Sequence, residues 1–227
     1  MRLILFDIDG TLVWTKGAGR ESTRLAMTEV FGTVGTLAAH KFGGKTDWQT
    51  LMELLHEEGV SYADIERAMP AYNAAMGRQL TAVIGQYDVQ PCPGAVEAVE
   101  ALRQRTDLAF GLVTGNVSST APIKLRAAGF DPAWFPVGAY GSEALERDHL
   151  PALAMARATE HYRYPFRPPE VIVVGDTAAD VSCARSLGAL AVAVETGFAQ
   201  PGELEAARPD YFISDLSELP LLLNADR

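Results

Sequence analysis

The feature that most constrains this chain lies in its first dozen residues. Residues 3–6 form an uninterrupted apolar run, the pattern of a strand buried on both faces of a parallel sheet. Asp7 and Asp9 follow at once, and Gly10 follows them. Open α/β sheets bind ligands in the crevice beyond the carboxyl ends of their strands, so both acids stand where a ligand is expected. Residues two apart on an extended chain point the same way, so the two carboxylates can address one pocket. Gly10 permits a tight turn and a close approach of backbone to ligand.

From Pro93 onward strands and helices alternate. Residues 108–114, 171–174, 190–194 and 211–213 read as strands, with a shorter one over 134–140. Residues 95–105, 118–128, 151–161 and 178–187 read as helices, with short helices near Pro201 and Ser217. Such alternation predicts an α/β fold, a Rossmann-like parallel sheet with helices on both faces.

The interval between Trp14 and Gly85 shows no β-type alternation. Leu25, Ala26, Val30 and Phe31 fall at helical spacing before Gly32, and Trp48, Leu51, Leu54 and Leu55 before Gly59. Ser61 with Asp64 forms a capping-box pattern that opens a third helix, in which Pro70 is expected to give a kink or break. Strand-to-helix loops in α/β units run ~2–6 residues, so an all-helical interval of this length reads as an insertion. The expected domains are a core of residues 1–14 and 91–227 and a helical cap of residues 15–90. The cap begins directly after the acid pair and overhangs it.

Composition removes several classes of function. Apolar residues make up 48% and charged residues 21% of the 227 positions, values of a globular protein. The net charge of -10 argues against nucleic acid or an anionic membrane as partner, because both need concentrated Lys and Arg. Cys92 and Cys183 are far apart, with no Cys-x-x-Cys spacing, and indicate neither a disulfide scaffold nor a zinc site. The four histidines, His40, His56, His149 and His161, form no metal-ligand spacing. No apolar run approaches the ~18 residues of a membrane span, and Asp7 and Asp9 interrupt what would be the apolar region of a signal peptide. The expected location is the cytoplasm.

Two further strand ends repeat the layout of the first. Leu112-Val113 runs into Thr114-Gly115-Asn116, and Val173-Val174 into Gly175-Asp176-Thr177-Ala178-Ala179-Asp180. Asp176 adds a third carboxylate to the pocket. Asp180, one helical turn later on the same face, can orient a metal-bound water or a basic partner. Carboxylates crowded in this way repel unless a cation sits among them. Oxygen-only ligands select Mg²⁺, and the alternating acid loop of a Ca²⁺ EF-hand is absent.

Asp-x-Asp-Gly-Thr-Leu after an N-terminal strand, a helical insertion, Thr-Gly-Asn and Gly-Asp-Thr-x-x-Asp follow one another in the order of a known family. In this the chain resembles the haloacid dehalogenase-like hydrolase superfamily, in particular its phosphoglycolate phosphatase-like branch. The resemblance implies a Mg²⁺-dependent hydrolase acting on a small phosphorylated metabolite through an aspartyl-phosphate. It implies Asp7 as nucleophile, Asp9 as general acid and then base, and Asp7, the Asp9 carbonyl and Asp176 as metal ligands. Gly10, Thr114, Gly115 and Asn116 are the expected phosphate-binding residues.

The superfamily also places a basic residue between the Thr and Gly-Asp motifs, often in Lys-Pro. Here the chain reads Gly141 to Asp148 without that pair, so Arg147 is the positional candidate and Lys124 the other. The sequence leaves the choice open. Lys45, between Gly44 and Thr46, is the candidate cap residue for an anionic leaving group.

Three alternatives bear on the same residues. A dehalogenase would have no need of Asp9. A sugar-phosphate mutase would keep both acids and differ only in passing phosphate to a second hydroxyl rather than to water. A catalytically silent binding protein on this scaffold would be expected to have lost Asp7 or Asp176.

Overall fold

In the computed structural model, which describes residues 1–225, the first apolar run forms β1 (Arg2–Phe6), and a two-residue strand, β2 (Val13–Trp14), follows the acid-bearing turn. Three helices come next, α1 (Ala18–Phe31), α2 (Asp47–Leu55) and α3 (Tyr62–Val83), and the chain returns through β3 (Gln90–Pro91). Alternation then begins with α4 (Ala95–Leu102), β4 (Leu108–Thr114), α5 (Ala121–Ala127) and β5 (Val137–Tyr140). It continues with α6 (Leu150–Tyr162), β6 (Val171–Gly175), α7 (Ala178–Leu187) and β7 (Leu190–Val194). The last described elements are α8 (Glu203–Ala207), β8 (Tyr211–Ile213) and α9 (Leu219–Ala225).

Six strands pair in parallel in the order β5-β4-β1-β6-β7-β8. Alternate residues of each strand point to opposite faces, and the sheet carries a core on each. Ile4, Phe6, Phe110, Leu112, Ile172 and Val174 pack with α4, α5 and α9. Leu3, Leu5, Ala109, Val113, Val171 and Val173 pack with α6, α7 and α8. Burial on both faces is why these strands read as unbroken apolar runs.

Register decides what meets at the sheet's edge. Phe6 lies opposite Leu112 of β4 on one side and Val174 of β6 on the other. The residues just beyond these positions, Asp7, Thr114 and Asp176, therefore emerge side by side, and β1 with its two neighbours forms the switch point of the sheet.

The helices α1 to α3 build a third apolar cluster around Met27, Leu51, Leu54, Leu55, Ile65, Tyr72 and Met76, and Val117 joins it from the sheet side. The Ser61–Asp64 capping box starts α3 as expected. Pro70 does not break the helix, for α3 runs through it. Pro70 and Glu66 are both exposed, so the Glu66 carbonyl left without an amide partner faces water.

The linkers to the helical unit differ from expectation as well. Val13 pairs with Pro91 and Trp14 with Gln90 in an antiparallel ribbon, too short to show a period in sequence. The strand expected over 134–140 begins only at Val137, because Pro132–Trp134 close a short 3-10 turn capped by Asp131. Among the described residues, no helix is long and apolar enough to cross a membrane.

Leu54 is fully buried in the third cluster. Leu54→Ala is expected to lower stability to chemical denaturation by ~2–5 kcal/mol; a loss below about 1 kcal/mol would mean that these helices are loosely packed.

Candidate active site

Asp7 leaves the end of β1 buried, with its backbone N–H bonded to the Val174 carbonyl at 2.9 Å. The turn after Asp9 holds Gly10 at φ 88°. A Cβ there would lie 2.5 Å from Asp176 Oδ2, so only glycine lets the backbone pass the third carboxylate. Asp176 is itself fixed, its Oδ1 accepting from the Thr11 hydroxyl at 3.0 Å and its Oδ2 from the Phe198 N–H at 2.9 Å.

Carboxylate oxygens of Asp7, Asp176 and Asp180 all lie within 4.8 Å of one another. Burial first, and then repulsion from Asp180 and Asp9, push Asp7 up to about 7 despite the opposing pull of Arg147. Burial, with Asp180 and Asp7 close by, likewise holds Asp176 well above the carboxylate range. Such a cluster of oxygen donors is costly to ionise when bare and suits a hard divalent cation. Asp180 is already engaged: one oxygen takes Arg147 Nη2, and the other accepts from the Thr177 N–H at 3.1 Å and hydroxyl at 2.7 Å. Asp7 and Asp176 remain as the acids best placed for a metal, with Asp180 holding the arginine.

The two basic candidates take different places. Arg147, 7% exposed, reaches Asp7 Oδ1 at 3.0 Å and also pairs with Asp180. Burial works against its charge, but Asp180 and Asp7 outweigh it and hold the guanidinium more firmly protonated. Its Nε is buried and has no hydrogen-bond partner among the described residues. Lys124, 3% exposed, instead binds Asp9 Oδ2 at 2.6 Å and Asn116 Oδ1 at 2.6 Å.

Thr114 is fully buried at the end of β4, its hydroxyl oxygen accepting from Asn116 Nδ2 at 2.6 Å. Gly115 lies under the helical unit: a Cβ there would stand 2.0 Å from the Lys45 carbonyl oxygen and 3.3 Å from Arg147 Nη1. Lys45 thus touches the site through its backbone. Its ammonium turns to Glu53 on α2. Of the other basic residues near the turn, Arg20 bonds the carbonyls of Leu37, Ala38 and His40, and Lys16 stacks over Trp14. Cys92 is buried, and burial pushes its thiol up to about 12, consistent with packing rather than chemistry.

Sequence reasoning missed Asp47. This acid at the start of α2 is buried, its N–H donating to the Gly115 carbonyl at 2.7 Å and its Oδ2 accepting from the Val117 N–H at 2.7 Å. Nothing in the spacing marks it, because Thr46 supplies the helix cap and Asp47 looks like an ordinary acid in a first turn. Thr46 also ties the helical unit down, donating to the Leu145 carbonyl at 2.9 Å.

Fold and site together define an α/β enzyme with an acid-lined crevice at the switch point of a parallel sheet. The model of the haloacid dehalogenase-like hydrolase family matches residues 1–188, and the chain belongs to that family. It is 28% identical to a phosphoglycolate phosphatase of Synechococcus elongatus, over 96% of this chain and 95% of that one. It is 25% identical to a phosphoglycolate phosphatase of Haemophilus influenzae, over 98% of each. Among solved structures, a hydrolase from Pseudomonas syringae shares the fold with a TM-score of 0.69 at 24% identity, over 99% of each chain.

Burial pushes Asp47 from 3.8 up to about 6. A carboxyl raised in the native state favours folding while protonated; that advantage is complete below pH ~4 and is lost as pH rises through about 6. Asp47→Asn keeps an acceptor for Val117 and carries no charge. The variant should match wild type near pH 4 and exceed it at pH 8, by up to about 3 kcal/mol, in thermal or chemical melts. Lower stability of the variant at pH 8 would mean that the ionised carboxylate is fully compensated.

Proposed function

We propose that the protein is a Mg²⁺-dependent phosphomonoester hydrolase for a small phosphorylated metabolite, working through an aspartyl-phosphate on Asp7. What carries the reading is Asp7 buried beside Arg147, whose Nε has no partner among the described residues, with Asp9 two residues away on the same turn. An acid nucleophile, a fixed cation for phosphate oxygens and a second acid for the proton stand within one crevice. The phosphoglycolate phosphatases of Synechococcus elongatus and Haemophilus influenzae make phosphoglycolate the first substrate to try.

An oxygen of Asp7 attacks phosphorus, the bond to the leaving oxygen breaks, and its electron pair leaves with that oxygen as Asp9 supplies a proton. Water then attacks the aspartyl-phosphate and gives its proton to Asp9. The bond to Asp7 breaks, restoring the carboxylate and releasing inorganic phosphate. Thr114, backbone N–H groups of the Gly115 turn and Arg147 stabilise the equatorial oxygens as charge spreads over them. Arg147 rather than Lys124 is the phosphate clamp, because it adjoins the nucleophile and its planar fork suits a phosphate. Asp7, the Asp9 carbonyl and Asp176 would hold Mg²⁺, which would supply positive charge to offset that of the carboxylates and the phosphate.

Residues 15–90 act as a cap over a core of residues 1–14 and 91–227. A separate apolar cluster and two linkers paired in a ribbon support a unit that opens to admit substrate and closes to exclude water. Buried free thiols at Cys92 and Cys183 fit a reducing cytoplasm.

Asp7→Asn should abolish phosphate release from an aryl phosphate while leaving the thermal transition in place; retained turnover would remove Asp7 from this role. EDTA should silence wild type and Mg²⁺ restore it, whereas activity indifferent to chelation would contradict the metal assignment.

A further inference from the structure

Asp9, the acid given the proton-transfer role above, is held from one side. Its Oδ2 accepts from Lys124 Nζ at 2.6 Å and from Asn116 Nδ2 at 2.7 Å, while Lys124 also donates to Asn116 Oδ1 at 2.6 Å. Ammonium, amide and carboxylate close a ring of three hydrogen bonds. Lys124 is 3% exposed, and a buried ammonium persists only where its partners are fixed. The first turn of α1 roofs it, since a Cβ on Gly19 would lie 3.5 Å from Nζ.

Asn116 is fixed in turn by the helical unit. Asp47 binds the residue on each side of it, giving its N–H to the Gly115 carbonyl and accepting the Val117 N–H, both at 2.7 Å. A two-bond clamp from α2 thus sets the turn that carries the amide. Losing it removes the hold of the helical unit on the backbone that carries this amide.

We infer that Lys124 and Asn116 are positioning residues that align Asp9 for proton transfer, and that Asp47 couples this alignment to docking of the helical unit. The inference rests on the two-step hydrolysis proposed above, in which Asp9 first gives a proton and then accepts one. Misplacing a reacting group by ~1 Å can cost about 10²-fold in rate. The effect should fall on steps that need Asp9 and spare one that does not.

Rapid-quench kinetics with Mg²⁺ and 2,4-dinitrophenyl phosphate separates them, because this phenolate leaves without protonation. Lys124→Met should give a burst of phenolate near one per enzyme at almost the wild-type rate, followed by turnover slowed about 10²-fold or more. With an alkyl phosphate, whose leaving oxygen needs the proton, the same variant should show no burst. Lys124→Arg should recover part of the steady rate, and Asp47→Ala should give a weaker form of the same burst and stall. Should Lys124→Met fail to fold, Asn116→Ala, which removes only the amide, is expected to show the same pattern. A burst slowed in parallel with turnover, in a variant with a native thermal transition, would overturn the inference. Absence of any phosphoenzyme in wild type would overturn the two-step hydrolysis and the inference with it, a result distinct from a burst lost in the variant alone.

Discussion

The chain of ion pairs from Asp7 through Arg147 to Asp180 is the interaction on which the rest of the site depends. Three carboxylates end up in a water-poor crevice because the parallel register of β1 and β6 puts them there. Ionising them in such surroundings is expensive, and one buried guanidinium shared between two of them offsets part of the cost. Removing one partner of a buried pair typically costs ~3–5 kcal/mol, so Arg147 holds the crevice together. Asp7 and Asp176, whose ionised forms burial still disfavours, are the carboxyls that a divalent cation would stabilise.

A division of labour between the two cations follows. Arg147 comes from the loop after β5 and pairs with Asp7, whereas Lys124 comes from α5 and pairs with Asp9. The helical unit enters through its backbone and one buried acid. Asp47, Thr46 and the Lys45 carbonyl all meet the Gly115 and Leu145 loops, while the Lys45 ammonium turns to Glu53.

Much of this fold is legible in the sequence, for a physical reason. Strands buried on both faces must be apolar throughout, so β4, β7 and β8 stand out as runs with the ends the structure gives them. The polar residues at their ends then mark the crevice. Short elements are not legible in this way: β2 and β3 have two residues each, and two residues show no periodicity. A proline reads in sequence as a place for a helix to end, yet Pro70 lies inside α3, on an exposed face where water can take the hydrogen bond it forgoes. Lys124 meets Asp9, and Arg147 meets Asp7, across more than a hundred residues of sequence, and Asp47 meets Val117 across seventy. Spacing carries no information about pairs closed only by tertiary packing.

The central claim is that Asp7 takes the phosphoryl group beside a divalent ion and Arg147. A crystal structure of the protein grown with Mg²⁺ and beryllium trifluoride, a mimic of an acyl phosphate, tests it most directly. The account predicts a trifluoride group on an Asp7 oxygen, a metal shared between Asp7 and Asp176, and Arg147 and Thr114 turned to the fluorides. A trifluoride on any other carboxylate, or a metal bound away from Asp176, would contradict it.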